Sequence, residues 1–375
     1  MFQMRCSNLL RRHTCLVVFL FWGIVACPSA DATLTINLTE GAGLTALRTS
    51  NPTLAADFRA GFDAAAANWS AQFTDAIVLN YEIDVDALAP NVLGGANPEI
   101  ANLSYSAVRS ALIADQTTAT DVSVTSNLVN ASSIDLRTND RSGAVVFDTD
   151  NSARNSFLRI SNSNAKAIGL LNPTATGLDA TITFNENFSF DFDQSDGIAT
   201  GQFDFIGVAT HEIGHALGFF SGVDIVDQFS GSGPNASDDI NGAAPGVGDL
   251  DDFAIFSTAD LLRFSPDSLA LGSGVIDVAF GGNPFTSIDG GVTNLANNTT
   301  GSFNGGGNQA SHFASNANIL GPSFAPGTVR NLSAIDLVAL DAIGFDFVTT
   351  TAVPEPSLAF AFTMIFGLVF VRRRK

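Results

Sequence analysis

One nine-residue stretch constrains this chain more than any other: His211-Glu212-Ile213-Gly214-His215-Ala216-Leu217-Gly218-Phe219. It holds two of the four histidines in 375 residues. An α-helix turns about 100° per residue, so side chains four apart return to one face, one turn further along. His211 and His215 can therefore present both imidazoles to a single metal ion. Glu212 leaves the helix at a different angle, off the metal but close beside it. Neutral nitrogen ligands with an open position suit a zinc that activates water, and the carboxylate then suits the general base that takes the water's proton. The five-residue motif alone is moderately specific. Gly218 adds weight because it falls where the helix must stop and the chain must turn.

Both ends of the chain read as addresses. Residues 1–30 have a basic start (Arg5, Arg11, Arg12), an apolar run from Cys15 to Ala26 and small residues at Pro28-Ser29-Ala30 for cleavage, the pattern of a secretory signal peptide. The apolar run is too short to span a membrane comfortably. Ile24-Val25-Ala26-Cys27 has the form of a lipoprotein cleavage box, but Pro28 directly after the cysteine argues against it. At the other end, Val353-Pro354-Glu355-Pro356 precedes an apolar run from Leu358 to Val371 and then Arg372-Arg373-Arg374-Lys375. This order of parts, over 349–375, resembles the PEP-CTERM sorting signal of Gram-negative bacteria. The resemblance implies an exosortase-type sorting enzyme as partner and a secreted or cell-surface destination. Fourteen apolar residues are short for a permanent span, and the basic end would stay cytoplasmic.

What lies between the addresses is compositionally distinct. All three cysteines (Cys6, Cys15, Cys27) precede the expected cleavage site, so 31–348 has neither a disulfide nor a thiolate ligand. Met1, Met4 and Met364 are the only methionines, so this span also has none. Seven of the seventeen Lys and Arg lie in the end segments; the remaining ten stand against thirty-six acids, a charge of −26. Such a surface repels nucleic acid and anionic membrane faces, leaving the sorting tail as the one expected membrane contact. Ca2+ is the second cation that this Asp- and Asn-rich composition would suit, although no complete calcium loop is present.

The spacing predicts a helix over 54–73, with Leu54, Phe58, Phe62, Trp69 and Phe73 on one stripe and Pro52-Thr53 at its start. Ile77 to Leu88 alternates as a half-buried strand, with Tyr81, Ile83 and Val85 on one side. Tyr105 to Ala114 reads as a helix, 116–164 as short strands and loops, and Ala180 to Asn185 as a strand. Phe188, Phe190 and Phe192 continue an alternation, and the histidine helix starts near Asp204. Residues 230–248 and 296–310 read as loops, 334–343 as a packing helix, and 31–50 as either the mature start or a short propeptide. The order of elements predicts an α+β fold.

Two histidines do not complete a catalytic zinc site, which usually has three protein ligands. Ser221, three residues past Gly218, is a poor ligand. Asp224 or Asp227 could ligate from just beyond the turn. Alternatively the chain returns with His312, the only other histidine outside the signal segment, in Gln309-Ala310-Ser311-His312-Phe313. The helix motif, a long insertion and a Ser-His-aromatic segment together resemble the leishmanolysin-like branch of the metzincin zinc proteases. They resemble still more closely a group of exported bacterial metalloproteases with PEP-CTERM tails, through Ser221 to Asp224, Asp260 to Ser265, Ser287 to Gly291, and Ala334-Ile335-Asp336-Leu337 through Phe345. The resemblance covers most of 50–348.

It implies a metzincin-like domain with a mixed twisted sheet, an active-site helix, an N-terminal subdomain to about 218 and an irregular C-terminal subdomain over 219–348. His211, His215 and His312 would be the zinc ligands and Glu212 the base of a metalloendopeptidase acting on peptide or protein substrates through a zinc-activated water. The 180–185 strand would be the edge that pairs with substrate. The chain departs from the family in lacking the methionine of the turn beneath the zinc; Ile319-Leu320 are the nearest apolar candidates for that place. It also has no tyrosine after the helix motif, since Tyr81 and Tyr105 are the only two. A reading from another class is an exported matrix or adhesion protein with a non-catalytic zinc site. A third is a zinc hydrolase acting on a different bond.

Overall fold

The computed structural model describes residues 33–238 and 250–348. The signal segment, the sorting tail and 239–248 of the expected 230–248 loop lie outside the described residues. No helix among the described residues is long and apolar enough to cross a membrane.

The chain is mixed α+β, with several small sheets. Its largest sheet begins with β1 (Thr35–Glu40), followed by helices α1 (Ala42–Ser50) and α2 (Pro52–Ser70), then β2 (Val78–Asp86) and β3 (Gly94–Pro98). The strand Ala180–Asn185 enters between β2 and β3, giving the order β1, β2, 180–185, β3. The first three run parallel and β3 runs antiparallel to its neighbour. Thus β1 and α1 come from the segment that the sequence leaves as mature start or propeptide.

Local chemistry accounts for these elements. Asn51 caps α2, its side-chain oxygen accepting the Leu54 N–H at 3.3 Å, and Pro52 fills the first helical position, where its missing N–H costs nothing. The expected stripe buries Phe58, Phe62 and Trp69. On β2, Leu79, Tyr81, Ile83 and Val85 are buried while Asn80, Glu82 and Asp84 are only half covered, the alternation of a strand with one face on the core. The 116–164 region does contain short strands, at Leu136–Asn139, Val145–Asp148 and Phe157–Ser161. It also contains a helix, Ala119–Asn127, held by a capping box between Thr118 and Asp121.

Two expectations need correction. The 180–185 strand is interior, paired on both sides; the edge beside the histidine helix is β3. The phenylalanine alternation also breaks: only Phe190–Asp191 is strand, pairing with Phe203–Asp204. Phe184 and Phe190 join Phe58, Phe62, Phe192 and Phe205 in a cluster of rings 4.5–6.2 Å apart, mostly edge to face. Phe188 instead faces the cleft described below.

The strap over 346–348 closes on the segment that follows α2 through a group of acids. Asp346 O accepts the Thr74 N–H at 2.8 Å, and Asp346 N–H donates to Asp75 Oδ2 at 2.9 Å. Burial, then the charge of Asp346, pushes Asp75 up to about 7. Burial, with Asp346 and Asp121 nearby, pushes Asp115 up to about 7, and burial with Asp121 pushes Asp341 up to about 6. Asp346 is itself raised, chiefly by burial. A carboxyl raised above its unfolded value of about 3.9 favours the fold while protonated, and that contribution is lost as pH rises through the folded value. The buried histidines pull the other way, so wild type and variant must be compared at each pH. Relative to wild type, Asp346→Asn is expected to gain melting temperature from pH 5 to pH 8, by roughly 2 °C. A difference that stays constant or shrinks over that range contradicts the assignment.

Candidate metal centre

The expected helix runs Phe205–Leu217. Asp204 caps its start, Oδ1 accepting the Gly207 N–H at 2.9 Å. Gly218 ends it at φ +134°, in a region that L side chains rarely adopt, and its N–H closes back on the Gly214 and His215 carbonyls. A side chain there would also meet Asn164 Cβ and Ser161 Oγ at 3.0 Å. Trp69 of α2 donates its indole N–H to Thr210 O at 2.7 Å, locking the helix against the core. Rigid support of this kind keeps a site within the small tolerances that metal binding needs.

The structure brings His211, His215 and His312 together. Their Nε2 atoms lie 3.0 Å (211 to 215), 3.2 Å (215 to 312) and 3.3 Å (211 to 312) apart. Each Nδ1 meets a backbone carbonyl: Ile319 O at 2.7 Å, Phe219 O at 2.6 Å and Gln309 O at 3.1 Å, respectively. A carbonyl can only accept, so the ring proton sits on Nδ1 and all three Nε2 lone pairs point inward. Metal–nitrogen bonds of 2.0–2.1 Å in a tetrahedron place nitrogens about 3.3–3.4 Å apart, close to this triangle. Burial and the neighbouring imidazoles hold His211 well below its ordinary value and His312 down at about 3; burial lowers His215. Neutral imidazoles are the ligand form.

Glu212 turns away from the triangle towards β3. A Cβ built on Gly94 would lie 3.4 Å from Glu212 Cγ, so this glycine permits the close approach. Burial pushes the Glu212 carboxyl up to about 8, opposed by the backbone N–H of Ala96. The cleft over the triangle has two halves that share His211, Glu212 and His312. One is walled by Leu93, Phe188, Phe203, Val208 and Phe324, with Asn91, Gln309 and Ser323 adding polar surface. The other runs beneath Gly94–Pro98 to Arg159, Phe220 and Ile225.

The alternative ligands are occupied elsewhere. Asp224 Oδ1 accepts the Ala310 N–H at 2.5 Å, while Oδ2 accepts the Ser311 N–H at 3.1 Å and hydroxyl at 2.5 Å. It thus fixes the loop that carries His312. Asp227 accepts the Phe303 and Asn304 N–H groups at 2.8 and 2.7 Å. Ser221 Oγ donates to Asp260 Oδ1 at 2.5 Å. Beneath the helix, Leu320 packs against Gly214, where an added Cβ would come within 2.6 Å of it. Asp336, on the helix Ala334–Asp341, accepts the Ile319 and Leu320 N–H groups at 2.9 and 3.1 Å and so pins the floor. Sequence reasoning missed this role and those of the three backbone carbonyls, which carry no residue-type signal.

Three carboxylates elsewhere, Asp148, Asp150 and Asp251, converge as oxygen ligands could. Arg154 already supplies positive charge there, pairing with Asp148 at 2.7 Å and with Asp251. Compared with protein-family models, curated proteins and solved structures, the chain matches none.

Proposed function

We propose that this chain is an exported zinc metallopeptidase of metzincin-like design. The observation that carries the reading is the triangle of inward-facing Nε2 atoms with Glu212 between it and an open sheet edge. Bound there by His211, His215 and His312, zinc would supply Lewis acidity, lowering the pKa of water and polarising a carbonyl. Glu212 would accept the proton of the attacking water on its carboxylate and return it to the departing amine nitrogen. The outer edge of β3, which pairs with no strand among the described residues, would hold an extended peptide through main-chain hydrogen bonds, which tolerate varied sequences. Phe188, Phe203 and Phe324 would pack against an apolar side chain of the substrate.

Ile319 and Leu320 support the reading despite the absent methionine. The carbonyl of the first orients His211 and the side chain of the second fills the space under Gly214, so an aliphatic residue serves the packing role. The two terminal addresses support export to the surface of a Gram-negative cell, with an exosortase-type enzyme acting on the tail. The test is hydrolysis of a mixed peptide pool by the purified, zinc-supplemented protein. Chelator-sensitive cleavage is expected. A zinc-loaded, folded protein that cleaves nothing would favour the matrix or adhesion reading.

A further inference from the structure

The chain between the addresses has ten cationic side chains, and nine of them have at least one hydrogen-bond or ion-pair partner, although Arg263 Nε and Nη1 and Arg330 Nη1 are also buried without one. Arg48, Arg59, Arg137, Arg154 and Lys166 pair with carboxylates. Arg109, Arg141, Arg263 and Arg330 donate to backbone carbonyls. Arg159 is the exception: among the described residues its guanidinium has no hydrogen-bond or ion-pair partner, and its Nε is buried and unpaired. The only influence on its ionisation is burial, which lowers it.

Its placement follows from strand alternation. On Phe157–Ser161, Leu158 and Ile160 point into the core, so Arg159 points the other way. Its backbone is held by the N–H bond to Phe256 O at 2.8 Å and by pairing opposite Asn102. That direction leads into the half of the cleft floored by His215 and Ser311 and roofed by Gly94–Pro98. Glu212 does not neutralise it, since no cation is among the influences on the Glu212 carboxyl.

We propose that Arg159 makes this half of the cleft a carboxylate-binding subsite, so that the protein selects peptides with an acidic side chain next to the bond cleaved. The proposal rests on the metallopeptidase reading above. A half-desolvated guanidinium without a partner is costly, and its planar fork matches a carboxylate with two parallel hydrogen bonds. The overall charge of −26 does not forbid this. Repulsion from the distant surface is screened within about 8 Å at physiological salt, whereas the contact at Arg159 is local and partly dry. An extended peptide beside β3 would send alternate side chains towards Arg159, which favours an internal acidic residue over a chain end. Phosphate or nucleic acid would bring several charges against a surface of net charge −26 and is disfavoured.

The test compares matched peptides with Glu or Gln at each position around the cleaved bond, and each peptide with a free or amidated C-terminus, using the zinc-supplemented protein. Wild type is expected to prefer an internal Glu over Gln by about tenfold or more in kcat/KM, the worth of a charge-assisted hydrogen bond. The ratio should fall to about one in Arg159→Gln and below one in Arg159→Glu. Equilibrium binding of the same peptides, fluorescently labelled, to Glu212→Gln gives a readout that needs no turnover. If nothing is hydrolysed but that protein binds the Glu peptide more tightly, and adding Arg159→Gln removes the difference, the subsite stands and the peptidase reading fails. Equal treatment of Glu and Gln by wild type overturns the subsite, as does a ratio that survives Arg159→Gln. A preference for the free C-terminus alone overturns the side-chain version and assigns the guanidinium to a chain end.

Discussion

Glu212→Gln is expected to abolish peptide hydrolysis while leaving zinc uptake intact, with kcat/KM falling on the order of 10²–10⁴-fold. The carboxylate sits beside the histidine triangle, not in it, and faces the cleft across from Gly94. Glutamine keeps the shape and a hydrogen-bond acceptor for Ala96 but cannot hold a proton in transit. The metal affinity belongs to three imidazoles whose orientations are fixed by carbonyls of Ile319, Phe219 and Gln309, none of which the substitution touches. Peptide kinetics beside metal analysis separates the outcomes. Undiminished turnover would remove Glu212 as the base, and loss of zinc together with activity would make it a ligand.

The second large effect concerns stability. Lys166, the only lysine between the addresses, is buried with Asp179; Nζ lies 2.6 Å from Asp179 Oδ2 and also donates to Val78 O at 2.9 Å and Ala175 O at 3.1 Å. The same carboxylate oxygen accepts the Asn80 N–H at 2.8 Å, while the Asp179 backbone accepts the Glu99 N–H and donates to Asn80 O. The pair therefore joins β2 to the approaches of the 180–185 strand and β3. Lys166→Met would strand a buried carboxylate and two carbonyls, at a cost of about 3–5 kcal/mol. Denaturant unfolding measures it, and Lys166→Met with Asp179→Asn is expected to recover part of the loss because the two residues are coupled. A cost below about 1 kcal/mol, or strictly additive single and double variants, would show that the pair is not coupled.

Legibility in the sequence tracked how local the cause of each feature was. The histidine helix was legible because its face, its Asp204 cap and its Gly218 stop all lie within fifteen residues. The 180–185 strand and Tyr105–Ala114 helix were legible from periodicity alone. The edge strand beside the histidine helix was not: Gly94-Gly-Ala-Asn-Pro98 has almost no strand propensity and exists as β3 because the neighbouring strand pairs with its backbone. The Ala119–Asn127 helix hid for a similar reason, burying Val124 as its one apolar side chain. His312 could be reached by elimination, since so few histidines exist, but Asp224 could not be told from a ligand without seeing that its oxygens hold Ala310 and Ser311. Arg159 lay in a polar stretch read only as strands and loops, and its freedom from any partner is a property of the folded neighbourhood.

The central claim is that three imidazoles converge to hold one divalent cation, and metal content tests it most directly. The purified protein, stripped and then titrated with zinc, is expected to take up one ion per chain. His312→Ala should weaken that binding by about 100-fold or more, beyond the loss expected for a residue that only supports a ligand. A folded protein that takes up no zinc, or a His312→Ala variant that binds it as tightly as wild type, would contradict the account.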